Sequence, residues 1–350
     1  MTLCAFAIPG DLATPTGGYV YARKILPLLA ERLRIEVCPL PAGFPLASEA
    51  ELDEAAAVLA ALDTPGMVFF IDGLAYGALP ISALEALNAP IVALVHHPLG
   101  LEEGLNPSEK AHLLKTEEKA LALAEHIVAP SHGTARELTR LFSVPDRKIT
   151  IAEPGILRGT RSKGAEAGEP LHVVTVGTLT PRKGYGVLID ALNLVRNLPW
   201  RATIAGSLDR SPETAALVRR KLAEYGLEER VQLAGQLDEA TLSSLYSSAD
   251  IFALASFYEG YGMAFAEAMA HGLPVVASGE GAVRDTVPDS AGFVCAAGDV
   301  AAFAEALRVL LSNAPLRNQK AEGAWRHGRT LPDWAHTADT IAHVLKQAAR

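Results

Sequence analysis

LHVVTVGTLTPRKGYGVLIDAL, residues Leu171–Leu192, reads as one strand, one loop and one helix. Its opening residues are mostly apolar or β-branched without alternation, the pattern of a strand covered on both faces. The strand ends at Gly177, a polar loop follows, and a helix begins near Tyr185. A buried strand handed directly to a helix is the repeating unit of a parallel α/β sheet.

The same unit recurs in both directions from this stretch. Upstream, LCAFAI, RIEVCPL, MVFFID, IVALVH, HIVAP and ITIAE read as strands. Downstream, RATIAG, VQLAG, IFALAS and PVVAS continue the series, with a weaker GFVCA after them. Amphipathic stretches such as EAELDEAAAVLAAL, SEKAHLLKTEEKALALAEH and SPETAALVRRKLAEYG lie between strands. The segment LRGTRSKGAEAGEP, Leu157–Pro170, is polar, rich in Gly and charge, and without apolar period, so it reads as a linker. It divides the chain into halves of similar size, each with its own βα series. Two doubly wound domains of this kind bind ligands outside the carboxyl ends of their strands. The tail LPDWAHTADTIAHVLKQAAR is helical and amphipathic, with Trp334, Ile341 and Leu345 as anchors.

Composition narrows the class. The chain has 350 residues, nearly half of them hydrophobic, and a formal net charge of -9. That balance argues against a nucleic-acid partner, which needs a basic footprint. No polybasic run is present to hold anionic lipid. The three cysteines, Cys4, Cys38 and Cys295, are odd in number and widely spaced, as expected of free thiols in a reducing cytoplasm. The start MTLCAFAIPG has neither the charge nor the length of a secretory leader, and no apolar run reaches the roughly 18 residues of a membrane span. A cytoplasmic protein is expected, with peripheral membrane contact left open.

Four places carry chemistry. Arg182 and Lys183 lie in the loop before Gly184, at a helix entrance where orphan N–H groups and the helix dipole already favour an anion; a solvated basic turn is the alternative. In SFYEGYGMAFAEAMAHGLPVVAS, Ser256–Ser278, two acids stand in a loop and a helix that otherwise read as buried. A buried carboxylate must be paired, hydrogen-bonded or turned to a ligand. Vicinal hydroxyls of a sugar or ribose suit Glu259 and Glu267, because one carboxylate accepts from two of them; an internal salt bridge is the alternative. Gly260 and Gly262 let backbone N–H groups approach a ligand closely. Gly17 and Gly18 precede a helix after the first strand, and IVALVHHPLG delivers His96 and His97 to a strand's carboxyl end. Asp72 ends a neighbouring strand and lines the same region.

Taken together, these motifs resemble retaining glycosyltransferases of family 4, whose fold is GT-B. EGYGMAFAE matches the family's paired glutamates, and VGTLTPRKG resembles its phosphate loop about 80 residues upstream. HIVAPSHGTARELTRLFSVPDRKITIAEPGI and GLPVVASGEGAVRDTVPDSAGFVCAAGDVAAFAEAL resemble the segments that close the first domain and follow the second glutamate. The likeness covers nearly the whole chain. Thr178 departs from it, standing after Gly177 where the family often carries Arg.

The resemblance implies two Rossmann-like doubly wound parallel-sheet domains facing a central cleft. Residues 1–160, with a crossover helix at about 331–350, would bind the acceptor, and 170–330 the donor. Arg182 and Lys183 would hold the donor diphosphate, Glu267 the ribose, and Glu259 the sugar hydroxyls. Gly177, Gly260 and the backbone around Gly262, Met263 and Ala264 would face sugar and phosphate. Gly17 and Gly18 would lie near phosphate and acceptor, His96 beside the reacting sugar, and Asp72 and His97 in the acceptor region. The implied reaction moves a sugar from a nucleotide diphosphate, UDP-sugar ahead of GDP-sugar, to a hydroxyl of a sugar, a lipid-linked or a small-molecule acceptor. No metal or other cofactor is expected, and no Asp-x-Asp motif occurs. A nucleotide-sugar epimerase, or a non-catalytic nucleotide-sugar-binding protein on the same fold, is the competing reading.

Overall fold

Six parallel strands form the first sheet: β1 (Leu3–Pro9), β2 (Arg34–Leu40), β3 (Met67–Asp72), β4 (Ile91–Leu94), β5 (His126–Ala129) and β6 (Ile149–Ile151). Their order is β2-β1-β3-β4-β5-β6. A second six-stranded parallel sheet uses β7 (Leu171–Val176), β8 (Trp200–Ala205), β9 (Val231–Gly235), β10 (Ile251–Leu254), β12 (Val275–Ser278) and β14 (Gly292–Cys295), in the order β14-β12-β10-β7-β8-β9. The computed structural model describes residues 2–14, 16–102, 104–166 and 168–350. All twelve strands read from sequence are present in these sheets. Two further short strands, β11 (Tyr258–Glu259) and β13 (Glu280–Gly281), pair with each other in parallel. Sequence reading took β11 for loop, because two residues are too few to show a period.

The sheets are covered on both faces, which is why their strands read as continuous apolar runs. In the second sheet Val173, Ile251, Ala253 and Val276 face one core, with Leu188, Ile204 and Phe303. Their sequence neighbours Val174, Phe252, Leu254, Val275 and Ala277 face the other, with Phe265 and Met269. This alternation is the period of two of a pleated strand. A fully buried side chain such as Phe252 contributes about 1.5–3 kcal/mol of transfer free energy. At the edge of the first sheet β2 loses this cover, and Arg34, Glu36 and Val37 are exposed.

The chain divides into two units, Met1–Gly155 with Pro332–Arg350, and Ile156–Leu331. Residues 157–166, the first part of the stretch read as a linker, lie along the second unit. Ser162 N–H donates to His271 O at 2.8 Å, Lys163 N–H to Ser247 O at 3.1 Å, and Ala165 N–H to Asp250 Oδ1 at 3.1 Å. The backbone N–H groups of Ser162, Lys163 and Ala165 are therefore spent on hydrogen bonds to the second unit, which a compositional reading cannot foresee. The helix Trp334–Ala348 belongs to the first unit. Trp334 packs edge-on against Tyr21, Asp339 pairs with Arg32 at 2.6 Å, and Thr337 donates to Glu153 O at 2.6 Å.

In each sheet the strand order reverses at one point, and ligands of open α/β sheets bind outside the carboxyl ends of the strands there. The reversal falls between β1 and β3 in the first sheet and between β7 and β10 in the second.

Candidate active site

Loops leaving β7 and β10, the two strands at the second reversal, carry the cations and the first acid. After β7 the chain makes a 3-10 turn at Pro181–Lys183 and enters the helix Tyr185–Leu194 through Gly184. Gly184 has φ +60, and a Cβ there would lie 1.9 Å from Ala255 O. Only glycine meets both demands, so the packing of this turn against the end of β10 fixes where Arg182 and Lys183 stand. Phe257 N–H donates to Arg182 O at 2.8 Å and ties the two loops together. Gly177, at the end of β7, accepts at its carbonyl from the Tyr185 hydroxyl.

The Arg182 and Lys183 side chains converge on Glu259. Lys183 Nζ lies 2.7 Å from Glu259 Oε1, and Arg182 Nη1 lies 3.1 Å from Oε2 and 2.6 Å from Tyr258 O. Ser256 Oγ donates to Glu259 Oε1 at 2.6 Å. Glu259 is 5% exposed. Burial alone would raise its pKa, but the Lys183 and Arg182 charges and the hydrogen bonds from Lys183 and Ser256 outweigh it and hold the group at about 2. Burial in turn lowers the Lys183 pKa, with Glu259 pulling the other way. The backbone of Glu259 is fixed by pairing with β13 and by the residue after it, since Ala282 N–H donates to Glu259 O at 2.9 Å.

Glu267 stands in the helix Met263–Ala270, entered through Gly262 at φ 91 with no side-chain cap. The expectation that this helix is buried all round is corrected. Met263, Ala264 and Glu267 are half-buried, while Phe265, Ala266 and Ala268–Ala270 are buried. Residues three and four apart share a helix face, so the small and apolar run conceals one open stripe. Gly260 is half-buried and Gly262 buried beside it. The Glu267 carboxylate accepts from the Tyr246 hydroxyl at 3.0 Å, and its charge reaches Lys183.

In the first unit the helix Gly17–Ala30 includes both glycines, so they open the helix rather than precede it. A Cβ on Gly18 would sit 3.1 Å from the His96 ring. His96 follows β4, lies edge-on to Tyr21 with ring centroids 5.2 Å apart, and has Nε2 3.7 Å from Asp72 Oδ2. That nitrogen is buried without a hydrogen-bond partner. Burial, with the His97 charge, lowers the His96 pKa to about 3, so the ring is neutral. Asp72 is buried at the end of β3 and caps the next helical turn through Leu74 N–H at 3.0 Å. Burial raises its pKa to about 6 against that hydrogen bond and the His97 charge. His97 instead pairs with Glu102, Nε2 to Oε1 at 2.7 Å.

Three structured residues escaped sequence reading. Ser256 and Tyr246 support the two glutamates. Glu117, in the helix Pro107–Leu123, is 1% exposed and accepts from Leu99 N–H at 2.8 Å, holding the turn after His97-Pro98. Its pKa is pushed up to about 8 by burial, against that hydrogen bond. Only the heptad-like spacing of Leu113, Glu117 and Ala120, all buried, could have flagged it.

Two doubly wound six-stranded parallel sheets, one in each unit, are the fold of the GT-B class. A sucrose-phosphate synthase from Thermosynechococcus elongatus has this fold, with a TM-score of 0.84 at 20% identity over 99% of both chains. So does HepE of Anabaena solved with UDP and glucose, with a TM-score of 0.76 at 18% identity over 98% of this chain and 99% of that one. Residues 159–326 match the glycosyl transferases group 1, and residues 27–156 match glycosyltransferase family 4. Each half of the chain thus matches a glycosyltransferase family model. It is 33% identical to a D-inositol 3-phosphate glycosyltransferase of Corynebacterium glutamicum over 214 residues, 58% of this chain and 50% of that protein. A Jonesia denitrificans protein of the same name is 27% identical over 290 residues, 76% and 68% of the two chains. The chain thus spans about half the length of the corynebacterial relatives it matches. Among the described residues no helix is long and apolar enough to cross a membrane.

Proposed function

We propose that the chain is a retaining, metal-independent glycosyltransferase that draws a sugar from a nucleotide diphosphate, UDP ahead of GDP, and passes it to a hydroxyl acceptor. The observation that carries this reading is the Arg182–Lys183–Glu259 cluster at the second reversal point, beside the open helix face that bears Glu267. Arg182 and Lys183 would bind the diphosphate and stabilise the charge that grows on it as the glycosidic C–O bond breaks, the kind of electrostatic term that dominates many enzymes. The uncapped N-terminus of Met263–Ala270 would add to this field. Glu267 would accept from the ribose hydroxyls and Glu259 from a hydroxyl of the departing sugar. The acceptor oxygen would attack on the face the phosphate leaves, forming the new C–O bond while its proton passes to the leaving phosphate oxygen.

The first unit, on this reading, binds the acceptor and sets neutral His96 beside the reacting sugar, with Gly17 and Gly18 close to phosphate and acceptor. Asp72 and His97 would complete the acceptor side. The free cysteines suit a reducing compartment, and the cytoplasm is the proposed setting. The relatives named for D-inositol 3-phosphate put a polyol phosphate on the acceptor panel. The test is release of nucleotide from a panel of UDP- and GDP-sugars, with and without sugar, polyol phosphate and lipid-linked acceptors. Acceptor-dependent release that survives chelator, with retained anomeric configuration in the product, is expected. Isomerised donor without transfer would instead identify an epimerase, and binding without turnover a non-catalytic protein.

A further inference from the structure

Tyr246 ends in a hydroxyl aimed at the proposed donor site, yet its ring is 2% exposed. The ring lies in the helix Glu239–Ser247, stacked on His271 with centroids 5.0 Å apart and planes at 25°, and it also meets Phe252 at 6.1 Å. His271 is itself fixed from two sides. Its Nδ1 lies 2.9 Å from Glu267 O, so that nitrogen carries the proton, and Nε2 lies 3.4 Å from Ser243 Oγ. Behind it stands Gly159, where a Cβ would come within 2.1 Å of the imidazole. Two aromatic rings are thus locked against the turn of helix that holds Glu267, and the polar atom this places at Glu267 is the Tyr246 hydroxyl, 3.0 Å from Oε2.

We infer that Tyr246 is a positioning residue for the nucleotide: its hydroxyl holds one carboxylate oxygen of Glu267 and aims the carboxylate at a vicinal diol. The inference rests on the reading of Glu267 as the ribose acceptor. A glutamate on an open helix face has three free torsions, and a hydrogen bond to a charged acceptor selects one arrangement before the ligand arrives. The locked ring is what makes the selection rigid, because the hydroxyl cannot follow the carboxylate if it swings away. Tyr246 touches neither sugar nor phosphate in this scheme, so its removal changes discrimination at the ribose and leaves diphosphate binding intact.

The experiment is calorimetric titration of UDP and 2′,3′-dideoxy-UDP into wild type and Tyr246→Phe, a change that keeps the ring and its stacking. Wild type is expected to prefer UDP by about 10-fold or more, the worth of one well-made hydrogen bond to a charged group. Tyr246→Phe is expected to bind the dideoxy nucleotide as wild type does and to lose most of the preference. If wild type shows no preference, the ribose reading of Glu267 fails, and this inference with it. If wild type discriminates and Tyr246→Phe discriminates equally, the ribose reading stands and the role of Tyr246 is overturned. Should the variant not fold, 3-fluorotyrosine at position 246 keeps both ring and hydroxyl. Its fluorine resonance is then expected to shift on saturation with UDP and not with the dideoxy form, and equal shifts overturn the proposal.

Discussion

Glu259 accepts from Lys183 at 2.7 Å and, through its other oxygen, from Arg182 at 3.1 Å, in a site where the residue is 5% exposed. Before any ligand arrives, the cations proposed to receive a diphosphate are already held by an acid of the same chain. Taking one member from such a buried cluster leaves uncompensated charge, which costs about 3–5 kcal/mol. Glu259→Gln is therefore expected to lower Tm, and UDP to raise the variant's Tm by more than it raises that of wild type, because the diphosphate restores the missing negative charge. Thermal denaturation with and without saturating UDP checks this, and equal UDP-induced shifts would count against it.

The same acid sets an acid limit on stability. Its folded pKa of about 2 lies below the ordinary 4.5, so it binds protons more weakly folded than unfolded. Its contribution, about 3 kcal/mol by linkage, is fully present above the ordinary pKa and is lost as pH falls from there through about 2. Urea unfolding of wild type and Glu259→Gln should show a stability gap near neutral pH that narrows on acidification. A gap independent of pH would remove the electrostatic explanation.

Asp72 has the opposite sign. Its folded pKa of about 6 lies above the ordinary 3.8, so the folded state favours the proton and stability falls as pH rises through that window. Asp72→Asn keeps an oxygen for Leu74 N–H and removes the buried charge. Above pH about 6 it is expected to be the more stable protein, by up to about 3 kcal/mol, with the advantage vanishing towards acid. Chemical unfolding across the window tests both the sign and the midpoint.

Gly184 tests how the cations are placed. Alanine would need a left-handed backbone, costing about 1–2 kcal/mol, and would also drive its Cβ into Ala255 O. Gly184→Ala is expected to lose several kcal/mol, at the exceptional end for a single substitution, and to weaken UDP binding in whatever protein still folds. Gly66→Ala, where nothing lies within 4 Å of the added Cβ, serves as the comparison: it carries the cost of positive φ without the clash.

How much of this was legible in the sequence follows the range of the interactions involved. The strands announced themselves because parallel sheets covered on both faces leave unbroken apolar runs, as in MVFFID and IFALAS. Arg182, Lys183 and Glu259 stood out because cations at a helix entrance and an acid among glycines are local anomalies. Glu267 stands out as an acid in a run of small and apolar residues, and that run disguises the open stripe of helix that carries it. Tyr246 could not be read at all: its hydroxyl meets Glu267 across 21 residues of sequence, and a tyrosine in an amphipathic helix looks like any core aromatic. Glu117 was lost for the converse reason, because a helix rich in Glu and Lys looks solvated and only tertiary packing shows which acid is covered.

The central claim is that Arg182 and Lys183 recognise a diphosphate, and the ratio of UDP to uridine affinity tests it most directly. It is to be measured by calorimetry in wild type and in Lys183→Ala, with circular dichroism confirming the fold of both. Wild type should prefer UDP by about 100-fold or more, equivalent to about 2.7 kcal/mol, and the preference should fall by at least about 10-fold in Lys183→Ala. A wild type that binds uridine as well as UDP, or a variant that keeps the full preference, would contradict the assignment.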